Sequence, residues 1–137
     1  MKQKIIPAIF FLVIISGCKK IFENAAEDAI IKAMTDGQWV ITSFTRDGNN
    51  ITSSFTGYKF QYYSNKTVDA IKNGTVEKTG TWDGNASNMT TWANFSNVNE
   101  PLSLINGSWH IDNNSWTFVE ATQTNGSEIK TMRLEKQ

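Results

Sequence analysis

The sequence predicts an all-β protein, an eight-stranded antiparallel up-and-down barrel preceded by one short helix. Three observations support this fold class. Apolar and polar residues alternate in successive short runs from residue 37 onward, turn pairs such as Asn73-Gly74 separate the runs, and the 137 residues include only two prolines. Eight antiparallel strands without a long covering helix hide their edges most simply by closing into a barrel. A two-sheet sandwich is the alternative, since alternation alone does not exclude it.

Residues 1–17 have the features of a secretory signal. Lys2 and Lys4 precede an apolar run over residues 5–15 that only Pro7 interrupts. The 11 residues of this run are too few to cross a bilayer as a helix, which takes about 20 residues. We therefore expect an export signal, and the length of the run disfavours the alternative of a short membrane anchor.

Cys18 follows the signal directly, in the segment Ile15-Ser16-Gly17-Cys18. This segment resembles the bacterial lipobox, in which an aliphatic residue and two small residues precede an obligatory cysteine. The resemblance implies that Cys18 carries a diacylglyceride and that its freed amine is acylated, for example by palmitate. Several acyl chains make a stable membrane anchor, at about 0.8 kcal/mol per buried methylene. Cys18 is the only cysteine of the chain, which excludes an internal disulfide.

The residues after Cys18 bear on location and partners. Lys19 and Lys20 match neither the aspartate of an inner-membrane retention signal nor the acidic cluster of a surface-export signal. The lipoprotein resemblance then implies the periplasmic face of the outer membrane. Without Lys2 and Lys4 the 13 basic residues fall to 11, against 13 acidic ones, a net charge of −2. Because the basic residues are also scattered, we expect no nucleic-acid partner.

The chain after the signal is long enough for one domain. We expect residues 18–36 to supply the lipidated cysteine and a tether helix, and residues 37–137 to form the barrel. Phe22, Ala26, Ile30 and Ala33 follow a helical spacing that Asp36-Gly37 ends. This helix either holds the barrel off the membrane as a spacer or packs across one end of the barrel.

Eight strands are expected in the barrel domain. They cover residues 37–46, 57–63, 67–72, 75–82, 88–95, 107–112, 115–121 and 128–136. Short turns join most of them, and the longer connection over residues 96–106 is expected to contain a helical turn near Pro101.

The first strand opens with a Gly-x-Trp motif, Gly37-Gln38-Trp39. Such a strand at the start of an eight-stranded meander resembles the lipocalins and the lipocalin-like domains of bacterial lipoproteins. The resemblance implies that Gly37 and Trp39 close one end of the barrel, with Arg133 from the last strand packed on the Trp39 ring. A cation–π contact of this kind is worth about 0.5–2 kcal/mol. The sequence departs from the family in predicting short strands and no long C-terminal helix, so a small or collapsed cavity is expected.

Two functions are compatible with this barrel. In the first, inward side chains line a cavity for a small hydrophobic ligand. The candidate cavity residues are Tyr58, Phe60, Tyr62, Trp82, Trp109, Ile111, Trp116 and Phe118. In the second, these residues are a solid core, and the loops at 51–56 and 96–106 contact an envelope protein, as in a non-enzymatic binding or inhibitor module. A cavity of at least roughly 300 Å³ favours the first function, whereas a filled interior with an exposed apolar patch favours the second.

Catalytic chemistry is not expected. His110 is the only histidine, and Asp112 lies two residues along the same predicted strand. The sequence contains no nucleophile-elbow motif that would place a serine beside this pair. We expect His110 to face solvent, opposite Trp109 and Ile111. Zinc would need several His or Cys ligands, so the sequence predicts no catalytic residue, no metal and no cofactor.

Overall fold

The computed structural model describes residues 26–137. The predicted export signal and the predicted lipidation site, Cys18, lie outside the described residues. The described part of the helix, α1, covers residues 26–35. The strands are β1 (Trp39–Arg46), β2 (Asn49–Asn50), β3 (Tyr58–Tyr62), β4 (Thr67–Lys72), β5 (Thr75–Asn85), β6 (Thr90–Asn94), β7 (Gly107–Asn114), β8 (Phe118–Asn125) and β9 (Glu128–Lys136). Two short 3₁₀ helices, η1 (Thr52–Phe55) and η2 (Leu102–Leu104), lie in the connections.

The strands form a closed, eight-stranded antiparallel barrel. β1 pairs with β3, each strand from β3 onward pairs with the next, and β9 returns to pair with β1. The closing seam runs from the pair Trp39–Lys136 to the pair Arg46–Lys130. β2 is a two-residue extension beside the end of β1. The closing seam confirms the predicted barrel and excludes the sandwich.

The predicted strand bounds are confirmed to the residue for β4 and β9. The predicted strand at 115–121 is wrong at its start, because Ser115 to Thr117 form a turn. The Thr117 N–H donates to the Ser115 hydroxyl at 3.1 Å, and the Ser115 N–H donates to the Phe118 carbonyl at 2.9 Å. The helical turn expected in the connection 96–106 is confirmed as η2, whereas β2 and η1 were not predicted.

Aromatic side chains fill the barrel. The buried aromatic residues are Trp39, Phe44, Phe55, Tyr58, Phe60, Tyr62, Trp82, Phe95 and Trp109. They pack in contacting pairs, such as Phe44 against Phe55 at 4.7 Å and Tyr62 edge-on to Trp82 at 5.2 Å between ring centroids. Gly80 is required by this packing, since a Cβ there would lie 2.4 Å from the Asn94 carbonyl oxygen and 2.7 Å from the Phe95 ring. Packing this close leaves little free space inside the barrel.

The barrel has two ends that differ in what covers them. At the α1 end lie the helix and the turns at 63–66, 86–89 and 115–117. At the η end lie the two 3₁₀ helices and the turns around Gly74 and Gly126.

Candidate functional site at the α1 end

α1 packs across its end of the barrel and is not a free spacer. The Trp39 indole Nε1 donates a hydrogen bond to the Met34 carbonyl at 2.9 Å. Ile31 and Met34 pack against the core, while Ile30 and Ala33 line the space beneath the helix. Of the two alternatives left by the sequence, the docked helix is therefore the one that the structure shows.

Trp39 is fully buried, and the cation over its ring is Lys136. The Lys136 Nζ lies 5.2 Å from the centroid of the Trp39 ring. Gly37, with φ +84°, makes the turn that brings the chain from α1 into β1. Lys136 follows the inward-facing Leu134 by two residues on β9, so both side chains point to the same face of the strand. The aliphatic part of the Lys136 side chain therefore lies beside the Trp39 indole.

The prediction that Arg133 packs on Trp39 is wrong. Arg133 lies between the buried residues Met132 and Leu134, so strand alternation directs its side chain to the outer face of the barrel. There the guanidinium pairs with Glu120 and lies 4.3 Å from the centroid of the Phe118 ring. Alternation along β9 from the inward-facing Leu134 points to Lys136 as the residue whose cation lies over the Trp39 ring.

The predicted ligand cavity is mostly filled. The space inside the barrel below α1 has a volume of about 70 Å³. Of the predicted lining residues, Tyr62, Trp82, Trp109 and Ile111 border it. Tyr58 and Phe60 are buried, and their rings lie stacked at 6.2 Å between centroids.

Two predicted cavity residues lie outside the barrel, and for them the prediction is wrong. Trp116 occupies the turn before β8 and is 58% exposed. Phe118 faces outward, opposite in direction to its neighbour Val119, and carries the Arg133 guanidinium on its ring. Trp116 lies in the turn that the hydrogen bonds of Ser115 form. Phe118 lies in β8 with the outward parity of Glu120, opposite to the inward Val119 and Ala121.

The η end is sealed by side chains that donate to backbone carbonyls. The Trp109 Nε1 donates to Ile105 at 2.7 Å, and the Lys130 Nζ donates to Leu104 at 2.8 Å. Gln123 donates to Asn106 at 3.0 Å and to Ser108 at 3.1 Å. Lys130 is 5% exposed, so its ammonium is a buried hydrogen-bond donor that holds η2 against the barrel.

The two loops expected to contact a partner belong to this seal. Four apolar residues of these loops are turned inward and buried: Phe55, Leu102, Leu104 and Ile105. Ile51 and Val98 are partly buried and pack against the core, so neither loop exposes a large apolar side chain. That the loops contact a partner stays a prediction, and most of the exposed large apolar residues lie at the opposite end of the barrel.

Exposed apolar side chains gather at the α1 end. Tyr63 and Trp92 are each 41% exposed, Met89 is 37% exposed, and Trp116 is the most exposed of the four. Tyr63, Met89 and Trp116 belong to the three turns of this end, and Trp92 lies at the centre of β6, where it lines the same groove as Ile30 and Ile31 of α1. We call these four residues the aromatic rim.

An open groove runs beside α1, below Trp92. It has a volume of about 460 Å³ and is lined on the helix side by Glu27, Ile30 and Ile31. Across from them, the Lys66 Nζ pairs with the Asp83 carboxylate at 2.7 Å. The hydrogen bond from Lys66, together with one from the Gly84 N–H, lowers the pKa of Asp83 below its ordinary value. The groove therefore holds an ion pair on a mixed wall, to which Glu27, Asn85 and Thr90 add further polar groups.

His110 and Asp112 lie on the outer face of β7. His110 faces solvent, as its alternation with Trp109 and Ile111 predicts, and its Nδ1 lies 3.1 Å from the Asp112 carboxylate. A hydrogen bond from the Thr122 hydroxyl, then one from His110, lowers the pKa of Asp112. Within residues 26–137, no group of three or more His, Cys, Asp or Glu side chains is placed to hold a metal ion.

The described part of the chain holds no helix long and apolar enough to cross a membrane.

Comparison with known proteins supports the architecture. No family model and no curated protein matches the sequence. The crystal structure of a DUF4847 family protein from Bacteroides vulgatus ATCC 8482 is similar, with a TM-score of 0.57 and 12% sequence identity. The two chains share a fold. The match covers 79% of this chain and 99% of that chain, and at this identity it shows the fold alone.

Proposed function

We propose that this protein is a lipid-anchored lipoprotein of the bacterial envelope whose solid barrel acts as a non-enzymatic binding module. It works through its outer surface and carries no ligand inside. The observation that supports this proposal most is the filled interior. A space of about 70 Å³ falls far below the roughly 300 Å³ of ordinary ligand pockets.

The size of the interior space excludes acyl chains and similar molecules from the closed barrel. An engineered apolar cavity of about 150 Å³ binds a molecule as small as benzene. The space beneath α1 is half of that volume or less, and Trp82, Trp109 and Met34 border it. A ligand carrier would have to expel α1 together with the Trp39–Met34 hydrogen bond.

The aromatic rim supports a surface role. Exposed apolar side chains that gather in one region of a soluble protein mark a contact site. Trp92 and Trp116 are large and exposed, so the contact area that they offer lies outside the barrel. The lipobox at Ile15 to Cys18 supports the anchor, and this part of the proposal rests on sequence.

Native mass spectrometry of the protein, gently extracted from its own envelope, tests the proposal. We expect the mass of the triacylated chain after cleavage at Cys18, with no non-covalent hydrophobic small molecule bound. Cys18→Ala is the matched control and should leave the protein either outside the membrane fraction or unprocessed, with residues 1–17 still attached. A stoichiometric small molecule that survives washing would overturn the solid-barrel function, and a Cys18→Ala variant that loses residues 1–17 and still stays in the membrane would overturn the anchor.

A further inference from the structure

Exposed apolar residues are unevenly distributed between the two ends of the barrel. Of the described residues, six large apolar side chains are exposed. Four of them form the aromatic rim at the α1 end. The other two, Val76 and Ile129, are the second residues of β5 and β9 and lie at the η end. Both tryptophans and the tyrosine of this set belong to the rim. The α1 end therefore exposes more large apolar residues than the η end, and all of the exposed aromatic ones among them.

The two rim tryptophans lie on either side of α1. Ile30 of the helix borders the groove that Trp92 lines, and it also borders a depression of about 200 Å³ lined by Trp116. Tyr63 lies along the outer wall, where its hydroxyl donates to Asp69 at 2.9 Å. Amphipathic aromatic side chains of this kind are enriched where hydrocarbon meets water in membranes.

The chain connects this same end to the proposed lipid anchor. Ala26, the first described residue of α1, follows Cys18 by eight residues. Eight residues span at most about 28 Å even when fully extended. If Cys18 is acylated, as the proposed function holds, the α1 end is the end that the tether delivers to the bilayer surface.

We infer that the aromatic rim is a membrane-contact surface, with Trp92 and Trp116 lying in the lipid interface on either side of α1. The occupant of the rim is therefore the bilayer that anchors the chain, and the η end points away from it. This inference rests on the proposed lipid anchor.

The charges near the rim indicate which lipid property the surface recognises. Glu27, Lys32 and the Lys66–Asp83 pair place both signs around α1. A surface that binds anionic headgroups would carry clustered basic residues. The rim contact is therefore with the apolar part of the interface, and neutral phosphatidylcholine is a sufficient partner.

Quenching of tryptophan fluorescence by brominated phosphatidylcholine tests the inference. The lipidated full-length protein is reconstituted into vesicles with bromine atoms near the glycerol end of the acyl chains. Trp39, Trp82 and Trp109 are buried in the barrel, so quenching reports on Trp92 and Trp116. We expect quenching of the wild-type protein, and loss of the quenchable fraction in a Trp92→Phe, Trp116→Phe variant, which keeps the rim apolar.

A reporter at the other end provides the matched control. In the Trp92→Phe, Trp116→Phe background, Ile129→Trp places one exposed indole at the η end, and its emission should not be quenched. Vesicle-bound wild-type protein without quenching, or quenching at position 129, would overturn the rim contact and leave the lipid anchor intact. Protein that does not float with the vesicles would overturn the anchor itself.

Discussion

The two ends of this barrel are closed in different ways. At the η end, Trp109, Gln123 and Lys130 each donate to backbone carbonyls of the 96–106 loop or its flank, and the loop residues Leu102 and Leu104 are buried. At the α1 end, Trp39 donates one such bond to the helix and Trp82 donates one to the Tyr63 carbonyl, about 70 Å³ remains open beneath the helix, and indoles are exposed around it. More side-chain donors thus hold the η end, and more exposed aromatic surface lies at the α1 end.

The largest expected effect contrasts two tryptophans. Trp109→Ala should lower the free energy of unfolding by about 3–5 kcal/mol, because it removes a buried indole and leaves the Ile105 carbonyl without its donor. Trp116→Ala should change it by less than about 0.5 kcal/mol, because the ring is exposed. Urea unfolding monitored by circular dichroism measures both. Similar losses in the two variants would mean that the ends do not differ in this way.

A second contrast concerns two lysines. Lys130→Ala should cost about 1–3 kcal/mol, because the buried Leu104 carbonyl loses its hydrogen-bond donor. Lys32→Ala, on the exposed face of α1, should stay within about 0.5 kcal/mol of the wild type. The same urea titration applies. An unchanged midpoint in Lys130→Ala would show that the ammonium does not clamp η2.

A third contrast compares free space near the two ends. Ala70 is fully buried on β4, which lies between β3 and β5 in the sheet. Ala33, in contrast, borders the space beneath α1. Ala70→Leu should destabilise by about 1–3 kcal/mol through overpacking. Ala33→Leu should be neutral or stabilising by about 1 kcal/mol, since added methylenes enter existing apolar space. Thermal unfolding gives the sign directly, and a loss in Ala33→Leu equal to that in Ala70→Leu would indicate no usable space there.

The smallest expected effect is a coupling energy. A double-mutant cycle of Trp39→Phe with Lys136→Ala should be non-additive by about 0.5–2 kcal/mol, the range of a cation–π contact. The cycle of Trp39→Phe with Arg133→Ala should be additive within about 0.5 kcal/mol, since the two residues share no partner. Coupling to Arg133 in place of Lys136 would contradict the register of β9.

Much of the architecture follows from local patterns in the sequence. β9 has one apolar face and one polar face with a turn before it, and both of its ends were predicted to the residue. Asn73-Gly74 correctly marked the β4–β5 turn. Patterns of this kind are reliable because side chains of a half-buried strand must alternate.

The differences between the predicted and the observed structure have separate causes. Phe44 is buried three residues after the buried Ile41, because a register shift between Ile41 and Ser43 adds a residue to β1. The apolar pattern predicts Trp116 as a strand residue, whereas the side chain of Ser115 accepts from the Thr117 N–H and forms a turn there. The lipocalin resemblance implies that Arg133 packs inside the barrel, whereas its position between the buried Met132 and Leu134 directs it outward.

The candidate site was less predictable than the fold. Docking of α1 depends on Met34 and Trp39 meeting across the barrel end, and sequence spacing does not encode that contact. The 96–106 loop is held by Lys130 and Gln123, which are polar residues at inward positions of their strands. Alternation could have identified both residues, since each follows the inward parity of its strand.

Hydrogen–deuterium exchange of the lipidated protein, with and without vesicles, tests the central claim most directly. That claim is that the α1 end is the contact surface and the η end is the free, stable end. The account predicts that vesicles slow exchange in the turns at 86–89 and 115–117 and leave the turns around Gly74 and Gly126 unchanged. Protection at Gly74 and Gly126, or equal protection at both ends, would contradict it.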